Sequence, residues 1–249
     1  MPERTAENTR AGIGRSAGDR AFVDLHVHTS ASFDCLATPR AVVNAAAARG
    51  LTHLAITDHD RIDGALEARE IARTEAPDLT VLIGEEVWTV GGDLICVFLS
   101  EAIPAGLSPA EAIAEARRQG ALVGIPHPFD SFRGSLLRDE TMSSLGPLVD
   151  WIEAHNARIM VGSGNEQAAA FAREQGRPGI AVSDAHSVME IGVAYTAMDG
   201  DPSTPDGLLA ALATTELVAG RATLFVRAVT PIAKLVQRAR GNGRAARAG

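Results

Sequence analysis

The segment VDLHVHTSASFDC, residues 23–35, begins with the alternating pattern of a β-strand that has one apolar and one polar face. Its two histidines, His26 and His28, are one residue apart and therefore point to the same side of that strand. Two imidazoles that face one space either bind a common metal ion or belong to an ordinary solvated surface. The rest of the chain has to distinguish these alternatives.

Short apolar runs alternate with helix-like segments from residue 21 to about residue 200. The candidate strands are FVDLHV, THLAIT, LTVLIG, LICVFL, ALVGIP, VDWIEA and GIAVSD. Most are separated by segments typical of helices, namely PRAVVNAAAARG, DGALEAREIARTEA, SPAEAIAEARRQG and GNEQAAAFAREQG. Repeated βα units predict a parallel sheet, either open or closed into a barrel.

The polar residues at the strand ends favour a barrel. In a barrel, chemically active groups gather where many strands end around one mouth, whereas an open sheet gathers them at one switch point. Such groups follow six candidate strands: His26, His28 and Asp34; Asp58, His59 and Asp60; Glu85 and Glu86; His127; Glu153 and Asn156; Asp184 and His186. No internal repeat or linker is visible, so a single domain is expected.

Metal binding is the best explanation for this clustering. Five of the seven histidines lie near strand ends together with carboxylates, although an isolated acid there could equally be a helix N-cap. Imidazoles and carboxylates without a thiolate suit Zn²⁺, Mn²⁺ or Fe²⁺. Eight candidate ligands exceed the need of one ion, so two or three ions are predicted. The remaining two histidines, His53 and His155, are expected to be structural.

Composition limits the partners and the setting. The formal charge of −8 argues against general affinity for nucleic acid, so stable duplex binding is not expected. Cys35 and Cys96 do not make a disulfide framework, which favours a cytoplasmic setting. No apolar run reaches the roughly 18 residues that a membrane span needs.

The chain is divided by composition into three parts. Residues 1–20 are predicted to be a disordered lead, residues 21–235 a single domain, and residues 236–249 a flexible basic tail. Within the domain, amphipathic helices in DGLLAALATTELVAGR and TPIAKLVQRAR are expected to close the barrel over residues 200–235.

Clustered divalent ions can provide a nucleophilic hydroxide near neutral pH and hold the attacking and leaving oxygens of a phosphoryl centre. Metal-assisted hydrolysis is therefore predicted, with a phosphoester favoured. A hydrolase that cleaves C–N bonds stays open at this point.

The ordered motifs DLHVHTSASFD, ITDHD, GEE, PHPFD, IEAHN and SDAHS resemble those of the polymerase and histidinol phosphatase (PHP) superfamily. The resemblance covers roughly residues 22–198. It implies a distorted (βα)7 TIM-like barrel, and a metal-dependent phosphoesterase site that holds two or three divalent ions.

The resemblance also implies a ligand set. His26, His28, Glu86 and Asp184 would hold one ion, His127 a second, and Asp34, His59 and His186 a third or the rest of the second. Glu86 matches the bridging carboxylate, two residues after Gly84, and Glu85 occupies the intervening position. Many relatives have a further histidine before the next strand; here the sequence is GGDLICVFL, and Asp93 is predicted to replace it.

Three further residues are predicted to support catalysis. Arg133 and Arg158 lie close in sequence to ligand motifs, and the guanidinium fork suits phosphate oxygens; a surface salt bridge is the alternative. Asp58 is predicted to orient a metal-bound histidine.

The expected substrate is a small phosphate ester, such as a nucleotide, hydrolysed by attack of a metal-bound hydroxide on phosphorus. The enzyme would be a phosphatase or a nucleotide phosphodiesterase. An exonuclease acting on short oligonucleotides or nucleoside bisphosphates is the enzymatic alternative. An inactive metal-binding or regulatory module is the alternative of another class, and missing ligands would be its signature.

Overall fold

A computed structural model describes residues 20–130, 144–159 and 162–243, without the side chains of residues 224–229. Arg133, residues 1–19 of the predicted lead and residues 244–249 of the predicted tail lie outside the described residues. The strands are β1 Arg20–Val27, β2 His53–Ile56, β3 Thr80–Thr89, β4 Gly92–Val97, β5 Leu122–Ile125, β6 Trp151–Asn156, β7 Gly179–Val182, β8 Tyr195–Asp199 and β9 Glu216–Val218. The α-helices are α1 Pro39–Ala48, α2 Asp63–Glu75, α3 Pro109–Arg118, α4 Gly164–Glu174, α5 Pro205–Ala211 and α6 Leu224–Ala239.

The strands form one sheet in the order β7-β6-β5-β4-β3-β2-β1-β8-β9. Just beyond the end of β7, Ala185 bridges in parallel to Val27 of β1, and the backbone N–H of His28 donates to the carbonyl of Ala185 at 3.0 Å. Strands β1 to β7 therefore curl into a nearly closed barrel, and β8 and β9 extend the sheet from β1. The predicted single-domain, TIM-like barrel is confirmed, and each of its seven strands overlaps one candidate run. Strand β3 continues to Thr89, so Glu85 and Glu86, predicted to follow that strand, lie within it.

Strand β4 departs from the parallel pattern. It pairs antiparallel with both β3 and β5. The connection between β3 and β4 is the short turn Val90–Gly91, and so short a connection can join only antiparallel strands. The barrel is distorted at this position, where a helical crossover is replaced by a hairpin.

The helices begin and end where local chemistry favours it. Thr38 caps α1 by accepting from the N–H of Ala41, and Ser108 forms a reciprocal capping box with Glu111 at the start of α3. Four of the described helices are followed by a glycine with positive φ: Gly50, Gly120, Gly176 and Gly241.

One hydrophobic cluster fills the barrel and receives side chains from all seven strands, including Leu25, Leu82, Ile95, Trp151 and Ile180. Trp151 fits because its neighbour Gly124 has no side chain: a Cβ there would lie 2.1 Å from the indole Nε1. A second cluster lies between the sheet and the helices.

The alternation expected along β1 is interrupted. Val23 and Leu25 pack inside the barrel, whereas Val27 packs on the helix side. The pairing of β1 with β2 shifts register between Asp24 and Val27, which is the signature of a β-bulge. The alternating pattern predicted that Val23, Leu25 and Val27 share one face of the strand. This prediction is wrong, because the bulge turns the side chain of Val27 to the opposite face.

The C-terminal region is only partly helical. The segment DGLLAALATTELVAGR, predicted as an amphipathic helix, is helical only as far as Ala211, where α5 ends. The same segment then contains β9, which pairs antiparallel with β8. The β-branched pair Thr214–Thr215 precedes β9 and disfavours continuation of the helix. Helix α6 continues to Ala239, whereas composition placed the start of the tail at residue 236. None of the helices in the described ranges has the length and apolar character needed to cross a membrane.

Candidate metal centre

Eight of the nine predicted ligands meet at the mouth of the barrel. They form three overlapping groups, in each of which the ligand atoms lie within 4.8 Å of one another. All eight side chains are buried. The groups are His26, His28 and Asp184; His26, Glu86 and His127; and His28, Asp34, His59 and His186.

The first group surrounds a point between His26, on β1, and His28, the residue directly after β1. The Nε2 atoms of His26 and His28 are 3.0 Å apart and lie 3.2 and 3.3 Å from Oε2 of Glu86. Each Nε2 atom is also 3.6 Å from Oδ1 of Asp184. Metal–ligand bonds of about 2.0–2.2 Å would place neighbouring ligand atoms about 3–3.5 Å apart, so these four atoms fit one divalent ion.

The charges of this group also fit a cation. Oε1 of Glu153 accepts from Nδ1 of His26 at 2.6 Å, which turns the Nε2 lone pair toward the centre. Burial opposes a charge on His26, yet the carboxylates of Asp184 and Glu153 raise its pKa well above the ordinary value. For His28, burial is likewise outweighed by the hydrogen bonds of Asp184 and Glu86, which raise its pKa to about 9. The carboxylates thus favour positive charge where the imidazole nitrogens converge.

Glu86 connects the groups through its two oxygens. Oε1 lies 3.1 Å from Nε2 of His127, whereas Oε2 faces His26, His28 and, at 3.3 Å, Nδ1 of His59. Burial disfavours the ionised carboxylate, but His59 and His26 hold the pKa of Glu86 well below its usual value. A carboxylate whose two oxygens face different imidazole sets has the arrangement of a bridging ligand.

The third group forms around Asp34. Its Oδ2 atom is 3.2 Å from Nε2 of His186 and 3.4 Å from Nε2 of His59. Despite burial, these two histidines hold the pKa of Asp34 well below the ordinary value. Burial, together with the positive charge of Arg158, lowers the pKa of His186 to about 3, so this imidazole is neutral and suited to metal binding.

Asp93 is not part of any of these groups, which were found among the described residues. It lies near the tip of the β3–β4 hairpin, paired with Trp88, two residues along β4 from Ile95. Its side chain is buried. A role for Asp93 as a ligand therefore stays a prediction that the geometry of the three groups does not support.

Arg158 adjoins the third group. Its buried guanidinium donates from Nη2 to Oγ1 of Thr230 at 2.7 Å, and Nη1 lies 3.5 Å from Oε1 of Glu190. The other oxygen of Glu190 accepts from the backbone N–H of His186 at 3.1 Å.

Asp58 contacts the chain next to a histidine rather than an imidazole ring. Its two oxygens accept from the backbone N–H and the hydroxyl of Thr29, both at 2.6 Å. Asp58 therefore fixes the backbone that follows His28.

Two polar residues of β6 support the site, and sequence reasoning assigned neither of them a role. Glu153 accepts from His26 and, through Oε2, from the backbone N–H of His127 at 2.8 Å. Asn156 donates to Glu153 at 2.9 Å and to Asp184 at 3.0 Å. Both lie on β6, and the neighbouring strands β5 and β7 are each followed by ligand residues, so this position was the available signal.

Asp24 is a third residue that sequence reasoning did not assign. It is fully buried, and its Oδ1 atom accepts from the backbone N–H of Ser183 at 3.1 Å. Burial raises its pKa to about 7.

The two histidines expected to be structural lie outside the three ligand groups: His53 contacts Ser203, and His155 donates to the carbonyl of Gly220.

Backbone strain occurs at two of the ligand residues. Among the described non-glycine residues, φ is positive at Asp60, Phe98, His127 and Asp184. Two of these, His127 and Asp184, belong to the ligand groups. Such conformations cost about 1–3 kcal/mol each and are typical of functional sites.

Comparison with known proteins identifies the family. A sequence model of a protein family, described as "PHP domain", matches residues 24–164, which is more than half of the chain. The chain belongs to the PHP family. A second model, described as "PHP-associated", matches residues 162–216. The PHP and PHP-associated ranges together include all eight residues of the three groups, whereas α6 lies beyond both.

Relatives of this PHP chain differ in how much is known of them. An uncharacterized protein of Methanocaldococcus jannaschii is 33% identical over 176 residues, which cover 70% of this chain and 68% of that protein. A 5'-3' exoribonuclease of Escherichia coli is 35% identical over 120 residues, covering 41% of each.

A solved structure supports the PHP fold. It is a two-domain protein from Bacteroides vulgatus that contains a predicted PHP-like metal-dependent phosphoesterase. The two structures superpose with a TM-score of 0.68 at 19% identity, over 83% of this chain and 67% of that one.

Proposed function

We propose that this protein is a metal-dependent phosphoesterase that hydrolyses a small phosphate ester. The observation that carries the proposal is the position of Glu86, whose two oxygens face separate imidazole sets. The eight side chains of the three groups would hold two or three divalent ions, with zinc, manganese and iron as the candidates. Ions held there would supply a water nucleophile at neutral pH and Lewis-acid stabilisation of a phosphoryl group.

The chain's own residues would orient this site. Glu153 holds the Nδ1 proton of His26 and the backbone of His127, which fixes two ligand rings at once. Arg158 provides a fixed positive charge near His186, where it would favour an anionic substrate. Arg133 stays a predicted phosphate-binding residue.

A pocket beside the third group supports a small substrate. It has a volume of about 320 Å³ and is lined by residues that include Phe33, His59, Arg61 and Asn242. This volume is near the lower end of ordinary small-molecule sites. The ring of Phe33 lies 4.8 Å from that of His59, so an apolar surface adjoins the proposed reacting centre. We infer that the non-reacting part of the substrate occupies this pocket.

An exonuclease acting on short oligonucleotides or nucleoside bisphosphates is the second candidate. The likeness to the exoribonuclease of Escherichia coli favours it. An inactive regulatory module is disfavoured, since eight converging ligand residues are retained. Two further statements stay predictions: the protein does not bind nucleic-acid duplexes stably, and it is located in the cytoplasm.

The test uses metal-free protein reconstituted with Mn²⁺ or Zn²⁺. Hydrolysis of p-nitrophenyl phosphate is compared with that of its bis-ester, of a 5'-labelled short oligoribonucleotide and of a labelled duplex. Turnover of the small esters supports the proposal, and the monoester-to-diester ratio separates a phosphatase from a phosphodiesterase. Processing of the oligonucleotide alone favours the exonuclease.

Two histidine variants provide the control. His28→Ala should abolish turnover and reduce bound metal, whereas His155→Gln, which changes a histidine outside the groups, should not. A wild type that is inactive on every substrate, or a His28→Ala variant with unchanged rate, overturns the proposal.

A further inference from the structure

Helix α6 contributes one buried polar side chain to the region of the metal centre. Gln237 is only 2% exposed, although the helix also carries exposed residues such as Leu235. Its Nε2 atom lies 2.7, 3.1 and 2.7 Å from the carbonyl oxygens of Ser30, Ser32 and Cys35. The two N–H groups of one amide therefore lie within hydrogen-bond distance of three backbone acceptors of a single loop, so one N–H is shared between two carbonyls.

That loop carries Asp34. Ser32 and Cys35, two of the residues held by Gln237, lie on either side of it, and the hydroxyl of Ser32 donates to Oδ1 of Asp34 at 2.9 Å. The opposite oxygen, Oδ2, faces His59 and His186. The loop lies between β1 and α1 and lacks regular secondary structure, so it depends on contacts of this kind to hold its backbone.

A second contact reinforces the first. Asn242 donates from Nδ2 to the carbonyl of Ala31 at 2.9 Å, and its Oδ1 accepts from Arg61 at 3.2 Å. Residues 237–242 thus reach four carbonyls of the loop. They lie beyond residue 216, where the match to the PHP-associated model ends, and within the segment whose composition predicted a flexible tail.

We propose that Gln237 is a positioning residue for the ion held around Asp34, His59 and His186. It acts by fixing the backbone on both sides of Asp34, so that Oδ2 stays at ligand distance from the two imidazoles. The inference rests on the proposed function and extends it, because it makes the C-terminal helix part of the metal centre. Ligand groups need support of this kind to hold their geometry to about 0.5 Å.

The test measures metal binding to metal-free protein and does not depend on activity. Gln237→Met keeps the length of the side chain and removes both donors. Mn²⁺ and Zn²⁺ are titrated by calorimetry, bound metal is counted after gel filtration, and Co²⁺ absorption reports the coordination geometry. The expected result is a 10–100-fold loss of affinity for one ion, with the other ions bound as in the wild type.

Three comparisons make the result specific. Asp34→Asn should weaken the same ion, and the double variant should bind no more weakly than Asp34→Asn alone. Gln167→Met changes an exposed glutamine of α4 and should leave every affinity unchanged. If Gln237→Met does not fold, Gln237→Asn replaces it in the test, because it keeps an amide but shortens the side chain. We expect Gln237→Asn to lose affinity for the same single ion.

The outcomes separate the two proposals. Unchanged binding of all ions by the folded Gln237 variants overturns the positioning role and leaves the proposed function standing. Uniform weakening of all ions, in step with a lower unfolding temperature, also overturns it, since that is general destabilisation. A wild type that binds no ion at the Asp34 group overturns the positioning role, and one that binds no ion at any of the three groups overturns both.

Discussion

The Nδ1 atom of His26 lies 2.6 Å from Oε1 of Glu153, and both side chains are buried. The same carboxylate accepts the backbone N–H of His127 through its other oxygen. Glu153 thus links β1 to the chain that leaves β5, and it fixes the tautomer of one ligand imidazole and the position of another. We expect Glu153→Gln to lower metal affinity by about 10–100-fold, as loss of such outer partners does.

The measurement is calorimetric titration of the metal-free protein with Mn²⁺. Glu174→Gln, which changes an exposed acid of α4, is the matched control and should bind as the wild type does. Equal affinities for the two variants would show that Glu153 does not orient the ligand rings.

Removing the proposed bridge should have a larger effect. Glu86→Gln replaces a carboxylate that faces two ligand groups, so the bound metal should fall by more than one ion per chain. Substitution of a residue that only hydrogen-bonds to a metal ligand typically lowers activity by up to about 100-fold, and we expect a larger loss for Glu86→Gln. Metal analysis after gel filtration, with a rate measured at saturating Mn²⁺, tests this.

Glu85→Gln is the control for Glu86→Gln. The two acids are adjacent on β3, but Glu85 faces away from the centre and accepts the backbone N–H of Ile103 at 2.8 Å. Its replacement should leave the metal content unchanged. Equal metal loss in both variants would argue against a bridging role specific to Glu86.

The buried carboxyl group of Glu85 should make the stability of the fold depend on pH. Burial raises its pKa to about 8, against an ordinary value near 4.5 in the unfolded chain. Between these values the unfolded state is ionised while the folded state keeps its proton, so a rising pH favours unfolding. The contribution is on the order of 1.4 kcal/mol per pH unit, and it stops growing above pH 8.

Glu85→Gln removes this titration. Urea unfolding of the metal-free protein between pH 5 and 9 should show the variant gaining stability relative to the wild type as the pH rises to about 8. The other titrating groups are shared by the two proteins and cancel in the difference. Parallel stability curves would mean that Glu85 is ionised in the folded state.

Much of the barrel can be predicted from sequence because its signals are local. Periodicity marks the seven strands, and helix boundaries follow from residues such as Thr38 and Ser108 that cap through their own side chains. The convergence of ligands follows from topology, since parallel strands present their C-terminal ends at one mouth. These inferences need no knowledge of which strands are neighbours.

The features that sequence reasoning missed depend on contacts distant in the chain. The bulge that turns Val27 to the helix side is defined by pairing with β2, and the direction of β4 by its turn. Gln237 becomes part of the site only because α6 packs against a loop about 200 residues earlier. The pattern of TPIAKLVQRAR predicted an amphipathic helix that includes Gln237, but composition placed residues 236–249 in a tail, and neither signal linked Gln237 to the site.

A last prediction concerns the close approach of α2 to the loop after β1. A Cβ at Gly64 would lie 2.2 Å from Oδ2 of Asp58 and 2.4 Å from Oγ1 of Thr29, the two groups that hold the backbone after His28. We expect Gly64→Ala to cost about 1–3 kcal/mol of stability by overpacking, and to weaken metal binding because Thr29 must move. Gly50→Ala is the contrast: Gly50 has a positive φ but nothing within 4 Å of a Cβ, so alanine there should lower the free energy of unfolding and leave metal affinity unchanged. Urea unfolding and Mn²⁺ titration of both variants test the distinction. If Gly64→Ala lost stability without losing metal affinity, the Asp58–Thr29 contact would serve the fold and not the metal centre.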